Sequence, residues 1–166
     1  TKGVLKAFSD FLKKTNKPIK LVMLDYDKEA LDNLLSEIGD KKLIDRIHLT
    51  GYVVNTDLPA IYSQCKLFLY PSLRESFGIP MLEAMRCGVA VITSNTSSMP
   101  EVATDAAYFV DPYKPEQITQ GIETLLNDDT LRNNLIQKGF ERSASFSWKS
   151  MAEKVLDLYE QILKKN

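Results

Sequence analysis

The sequence is short of the side chains that carry most hydrolytic and metal chemistry. Among 166 residues there is one histidine, His48, and there are two cysteines, Cys65 and Cys87. A single imidazole, set in the strand-like run Arg46-Ile47-His48-Leu49-Thr50, is a poor basis for a His-based zinc site or a Ser–His–Asp triad within this chain. The cysteines have neither metal-ligand nor redox spacing. Both read as small core residues of a reduced, cytoplasmic protein. No apolar run approaches the roughly 18 to 20 residues that a membrane-spanning helix needs. Charge of one sign is missing as well. Lys and Arg number 21 against 22 Asp and Glu, a net charge of −1, without the strongly basic face of a nucleic-acid binder. Thr1-Lys2-Gly3 opens directly onto an amphipathic segment, so no secretory leader is expected. Any chemistry must come from carboxylates, lysines, backbone amides or another domain.

What remains is ordinary globular composition, 44% hydrophobic and 26% charged, and residues 1–166 are expected to form one domain. Val4, Leu5, Phe8, Phe11 and Leu12 recur at helical spacing. Ile19 to Leu24 reads as a buried strand. Asp27 is placed to cap a helix carrying Leu31, Leu34, Leu35 and Ile38. Strands are expected at 46–50, 67–70, 89–93 and 108–110, with short helices at 57–65 and 80–86. Helices follow at about 115–127, 129–144 and 148–164, the last with Met151, Val155, Leu158 and Ile162 on one stripe and Trp148 as a core anchor. Strands alternating with helices predict an α/β fold, a three-layer αβα Rossmann-like domain around a parallel sheet. Ligands then bind at the carboxyl ends of the strands, in the loops after 24, 50, 70 and 93. A helix comes first where a doubly wound domain usually begins with a central strand. The domain is therefore expected to be truncated at its N-terminus. Apolar edges beside Ile19–Leu24 would then lie unpaired, with disorder or a second chain there.

The richest loop is Pro71-Ser72-Leu73-Arg74-Glu75-Ser76-Phe77-Gly78-Ile79-Pro80-Met81-Leu82-Glu83-Ala84. Gly78 lets backbone approach a ligand closely, and Pro80 is pre-set for a first helical turn. The amides of Ile79, Met81 and Leu82 would then point out at a positive helix end, an anion site. Glu75 and Glu83 flank it, and carboxylates accept hydrogen bonds from vicinal hydroxyls. Anion site plus hydroxyl acceptors fits a nucleotide-sugar. Taken alone, two glutamates eight residues apart also arise by chance, and Glu83 in a first turn is stabilised by the helix dipole without any ligand.

The run P-S-L-R-E-S-F-G-I-P-M-L-E-A-M-R-C-G-V-A-V-I closely resembles the signature of retaining GT-B glycosyltransferases of family 4, also called group 1. The downstream T-S-N-T-S-S-M-P-E-V-A-T-D-A-A-Y-F-V-D-P, the F-S-W before the last helix, the upstream L-T-G-Y-V and the Lys2-Gly3 pair are similar too. The resemblance covers nearly the whole chain. It implies the C-terminal half of a GT-B fold, the domain that binds a nucleotide-diphosphate sugar, with GDP- or UDP-hexose as donor and GDP-mannose preferred. By that resemblance Glu75 contacts the donor sugar, and the amides of Phe77, Gly78 and Ile79 approach it. Glu83 holds the ribose, and the Leu82 amide helps hold the diphosphate. Lys2 neutralises the diphosphate, together with an arginine a few residues upstream of Thr1. Gly51, Tyr52 and Val53 border the base. No metal and no cofactor beyond the donor are expected. The acceptor-binding N-terminal domain is expected as a partner within the same protein, and any peripheral membrane association belongs to that domain. The present chain alone is expected to be inactive.

Three departures stand out. Leu24-Asp25-Tyr26-Asp27 replaces a Gly-rich turn and spells the D-x-D of a metal-binding glycosyltransferase fold, although Asp27 has work enough as a helix cap. Thr104 stands where the family often has glycine. Asn95-Thr96-Ser97 is a formal glycosylation sequon, without meaning in a cytoplasmic chain. Two other readings compete. One is a receiver-like signalling module, based on the acidic Asp25–Asp27 run but lacking the phospho-accepting Asp and the expected Lys. The other is a GT-B-type nucleotide-sugar epimerase domain. Lysines 13, 14, 17 and 20 read as a solvated helix end.

Overall fold

The computed structural model describes residues 1–164. Helices and strands alternate as α1 (Lys2–Lys13), β1 (Leu21–Met23), α2 (Lys28–Glu37), a 3-10 helix (Lys41–Arg46), β2 (Ile47–Leu49), α3 (Leu58–Gln64), β3 (Leu67–Tyr70) and α4 (Ile79–Arg86). They continue as β4 (Ala90–Ser94), α5 (Met99–Ala103), β5 (Tyr108–Val110), α6 (Pro115–Asn127), α7 (Asp129–Ala144) and α8 (Trp148–Leu163). Every strand pair is parallel, as expected where a helix returns the chain to the starting end before each new strand.

Helices cover both faces. Leu5, Phe8 and Phe11 of α1, Leu31 and Leu35 of α2, and Ile118, Ile122 and Leu125 of α6 form one apolar cluster with Ala90 and Ile92 of β4. Met81, Leu82 and Met85 of α4, with Met99, Val102 and Tyr62, form a second around Val91. Alternate residues of β4 thus feed opposite layers, as strand geometry dictates, and all five of its residues are buried.

The single sheet expected from sequence is divided. β2 pairs with β1, and β3-β4-β5 form a separate three-stranded sheet. Among the described residues, one edge of β1 and one edge of β3 have no strand beside them. A groove of about 790 Å³ runs between residues 18–24 and 66–72, over Val4, Leu5, Phe8 and Ile122. The expected buried strand Ile19–Leu24 shortens accordingly. Leu21 to Met23, the three residues registered against Ile47 to Leu49, keep strand geometry, and Val22 is 41% exposed. A strand with one neighbour satisfies one row of backbone groups and leaves the other to water.

The helix boundaries at 115–127 and 129–144 coincide with expectation, helped by the Asp128 carboxylate, which accepts from the Leu131 amide at 2.8 Å. Residues 99–103, expected within a polar loop, form the short helix α5 with a proline in its first turn. The largest correction concerns α8. Its stripe of Met151, Val155, Leu158 and Ile162 is present but faces solvent, and Trp148, expected as a core anchor, is 70% exposed. Amphipathic spacing reports which face seeks cover, not whether the cover lies in the same chain.

Asp27 caps α2, its carboxylate accepting from the Ala30 amide at 2.8 Å. Asp27→Ala is expected to cost about 1 kcal/mol, a fall in melting temperature of roughly 2–4 °C. A scanning-calorimetry shift under about 0.5 °C would remove the cap from the stability account.

Candidate functional site

The site loop runs from the end of β3 to the start of α4. Gly78 makes the handover, as the N-cap of α4 with φ +98°. A side chain is disfavoured there chiefly because the backbone is left-handed; an added Cβ would also lie 2.5 Å from Met99 Cε and 3.2 Å from Met99 Sδ, so the flexible end of Met99 would have to move. The turn leaves the Phe77, Gly78 and Ile79 amides without a protein acceptor among the described residues, whereas the Met81 amide donates to the Gly78 carbonyl at 3.1 Å. Met81, expected to present a free amide, is therefore withdrawn from the anion site. Its place is taken by three consecutive amides just ahead of the second helical residue, where positive partial charge gathers.

Glu75 lies half-buried in the loop. Its Oε1 accepts from the Tyr70 hydroxyl at 2.7 Å and the Ser72 hydroxyl at 3.0 Å. Its backbone is strapped to the loop after β4. The Glu75 amide donates to Ser97 Oγ at 3.1 Å, Ser97 Oγ donates to the Glu75 carbonyl at 2.7 Å, and Ser98 Oγ reaches the same carbonyl at 3.1 Å. Ser97 adopts φ +59° to do so. Burial, with the hydrogen bond to Glu75 and its charge added, pushes the Tyr70 phenol above the ordinary tyrosine range. The strap was invisible in the sequence, where Ser97 and Ser98 fell in what read as a plain polar loop.

Glu83 is exposed on α4. It lines a cleft of about 730 Å³ with Phe77, Ile79, Leu82 and Arg86, whose opposite wall is the 143–154 segment. Burial and then the Glu83 charge raise the Tyr62 phenol. The F-S-W motif acquires a physical role here. Phe146 meets Phe77 edge-on at 5.5 Å between ring centroids, and the Arg142 guanidinium covers the Phe146 ring at 4.7 Å. Arg142 also donates to the Val102 and Glu101 carbonyls at 2.7 and 2.9 Å. The end of α7 is thereby pinned to α5 and the site loop.

The remaining expected residues lie apart from this cleft. Gly51, with φ +67°, and the 78%-exposed Tyr52 form the loop after β2 with Val53. The Asp25 amide donates to the Gly51 carbonyl at 3.0 Å. Asp25 itself sits at φ +46°, the conformation that a Gly-rich turn would supply. Thr104 repeats the pattern, with φ +52° and ψ −111°, an uncommon backbone for a β-branched residue. Lys2 donates to Glu37 Oε2 at 2.8 Å, both side chains more than half exposed, and contacts neither Glu75 nor Glu83. No cluster of three potential metal-binding side chains occurs among the described residues, and no described helix is long and apolar enough to cross a membrane.

A parallel α/β domain with free amides and carboxylates gathered at the carboxyl ends of its strands has the fold of a GT-B glycosyltransferase domain. The family model "Glycosyl transferases group 1" matches residues 1–142, and the chain belongs to that family. The O-antigen chain mannosyltransferase B of Escherichia coli is 33% identical over 160 residues, which cover 96% of this chain and 42% of that protein. The chain thus spans less than half the length of this relative. Among solved structures, the C-terminal domain of a group 1 family glycosyl transferase from Francisella tularensis superposes with a TM-score of 0.73 at 24% identity, over 87% of this chain and 77% of that one. The Anabaena protein HepE, solved with UDP and glucose, superposes with a TM-score of 0.78 at 16% identity, over 95% and 44%. None of these matches favours the receiver-like or epimerase readings.

Gly78→Ala combines a left-handed backbone with a clash against Met99, and should cost about 1–3 kcal/mol. Adding Met99→Ala should not restore wild-type stability, because the backbone strain remains. Urea melts in which Gly78→Ala matches wild type would contradict this account of the turn.

Proposed function

We propose that this chain is the donor-binding domain of a retaining glycosyltransferase and forms the C-terminal half of a two-domain enzyme. The observation that carries the reading is the row of three free amides at Phe77–Ile79, flanked by Glu75 and Glu83. Those amides suit the sugar–phosphate junction of a nucleotide-diphosphate sugar. Glu75 takes sugar hydroxyls, Glu83 the ribose hydroxyls, the Leu82 amide the diphosphate, and Gly51–Val53 the base. GDP-mannose is the preferred donor, in keeping with the mannosyltransferase among its relatives, and UDP-hexose is the second choice.

Lys2 would leave Glu37 to meet the diphosphate. An exposed ion pair is worth only about 0–1 kcal/mol, so the exchange is cheap for a doubly charged ligand. The domain's work is to hold the leaving group and orient the sugar, with positioning and charge stabilisation supplying the rate enhancement. The acceptor site and the arginine that joins Lys2 lie in a preceding segment, so this chain alone is inactive. The open edges of β1 and β3 support placing one further parallel strand, ahead of Thr1, in the groove between them. Soluble, cytoplasmic residence fits a donor made inside the cell.

Calorimetry with GDP-mannose and GDP tests the assignment in the full-length enzyme. Glu83→Gln loses charge-assisted hydrogen bonds worth about 1.5–3 kcal/mol, roughly 10- to 150-fold in affinity, for both ligands, since ribose is common to both. Glu75→Gln should weaken GDP-mannose or lower kcat and leave GDP binding nearly unchanged. Equal effects of Glu75→Gln on the two ligands would remove the sugar role, and a silent Glu83→Gln would remove the ribose role. Donor binding should also persist in EDTA, because helix amides and Lys2 carry the diphosphate charge. Binding lost in EDTA and regained with Mn²⁺ would point to Asp25 and Asp27 instead.

A further inference from the structure

We propose that Tyr70, assisted by Ser72, is a positioning residue that fixes the Glu75 carboxylate so that Oε2 alone faces the donor sugar. The proposal deepens the reading of Glu75 given above and rests on it. Both hydroxyls donate to Oε1, at 2.7 Å from Tyr70 and 3.0 Å from Ser72. No described residue donates to Oε2. A terminal carboxylate torsion is otherwise soft, and a glutamate on a loop would spread its acceptor sites over many directions. Two donors converging on one oxygen remove that freedom before any ligand arrives.

Tyr70 is the better-anchored donor of the two. It is the last residue of β3, and its carbonyl accepts from Thr93 Oγ1 of β4 at 3.0 Å. Its ring stacks on Phe68 with centroids 5.8 Å apart and planes 17° apart. Phe68 is met edge-on by Tyr62 at 5.2 Å, which ties the assembly to the core of the second layer. The other end of Glu75 is held by Ser97 and Ser98, through three hydrogen bonds to its backbone. The carboxylate is therefore fixed from the end of β3 and the backbone from the loop after β4, two strands paired in the same three-stranded sheet. A phenol is protonated at neutral pH in any case, and burial raises that of Tyr70 further.

The competing explanation is that Tyr70 is a core aromatic whose hydroxyl merely uses the nearest acceptor. A double-mutant cycle separates the two, because residues acting through one group are non-additive. The cycle is run in the full-length enzyme with GDP-mannose as donor and GDP as the sugar-free control, and with UDP-glucose and UDP in parallel. Tyr70→Phe keeps the ring and removes the hydroxyl. It should lower kcat/KM by about 10-fold or more, in line with a hydrogen bond to a charged group, while GDP affinity stays within about twofold. In a Glu75→Gln background the same substitution should change kcat/KM by less than about twofold. Losses from Tyr70→Phe and Glu75→Gln that multiply, or a Tyr70→Phe loss shared equally by GDP, would overturn the positioning role. So would a silent Tyr70→Phe beside an effective Glu75→Gln, with the Glu75 assignment left standing. A silent Glu75→Gln would instead overturn the sugar assignment itself. Should Tyr70→Phe fail to fold, Ser72→Ala removes the other Oε1 donor from a half-buried loop position, and the same cycle decides.

Discussion

The arrangement depends on how eight residues between Tyr70 and Ile79 are held. They must carry Glu75 out of a parallel sheet, turn through a left-handed glycine and enter α4 with free amides facing outward. No regular hydrogen-bond ladder supports such a path. The support comes from the neighbouring strand's loop, where Ser97 and Ser98 take the Glu75 backbone as a partner strand would. Gly78, left-handed at φ +98°, packs directly against Met99, so α5 also touches the start of α4. Every functional group attributed to the site is measured from that clamp.

Helices α5 and α7 complete the setting in a way that spreads the cost of order. The Arg142 guanidinium satisfies two carbonyls at the end of α5 and stacks on Phe146, whose ring meets Phe77. A planar fork with several donors suits this double task, as a lysine would not. Loop, helix end and F-S-W motif are thus joined by direct contacts. By contrast Lys2 belongs to α1, which lines the groove, and the Gly51–Val53 loop follows β2 in the smaller sheet across it. The groups assigned to the sugar and those assigned to the base are carried by separate sheets.

Much of this was legible in the sequence, and for identifiable reasons. β4 was found because Val89-Ala90-Val91-Ile92-Thr93 is apolar on both faces, the mark of a strand covered twice. The bounds of α6 and α7 agree with the sequence ranges, and the structure shows Pro115 and the Asp128 cap at their starts. Glu75, Glu83 and Gly78 stand out in the sequence by spacing and resemblance, and the structure brings them into one loop and the helix that follows. The Ser97–Glu75 strap was missed because its members are 22 residues apart and serine carries no periodic signal. Pairing of Lys2 with Glu37, 35 residues away, escaped for the same reason. Met81 was misjudged because sequence gives the start of α4 but not whether its first turn closes back on Gly78. Thr104 and Asp25 looked like simple departures from glycine, whereas the backbone at both positions is left-handed all the same. Trp148 and the α8 stripe were assigned to a core that the described residues do not provide.

β4 belongs to both apolar layers, and the β1–β2 ladder touches only one. The two sheets consequently differ in how much must come apart before a backbone amide meets water. Opening β1 from β2 disrupts three registered pairs at an edge already open along its other side. Exposing β4 requires β3 and β5 to part from it and the helices on both faces to separate. Amide exchange in such a domain is graded, with the amides of β4 the last to exchange and those of β1 and β2 early, well below the free energy of global unfolding. The Gly51–Val53 loop therefore rides on the part of the domain that breathes most, and Glu75 on the part that breathes least.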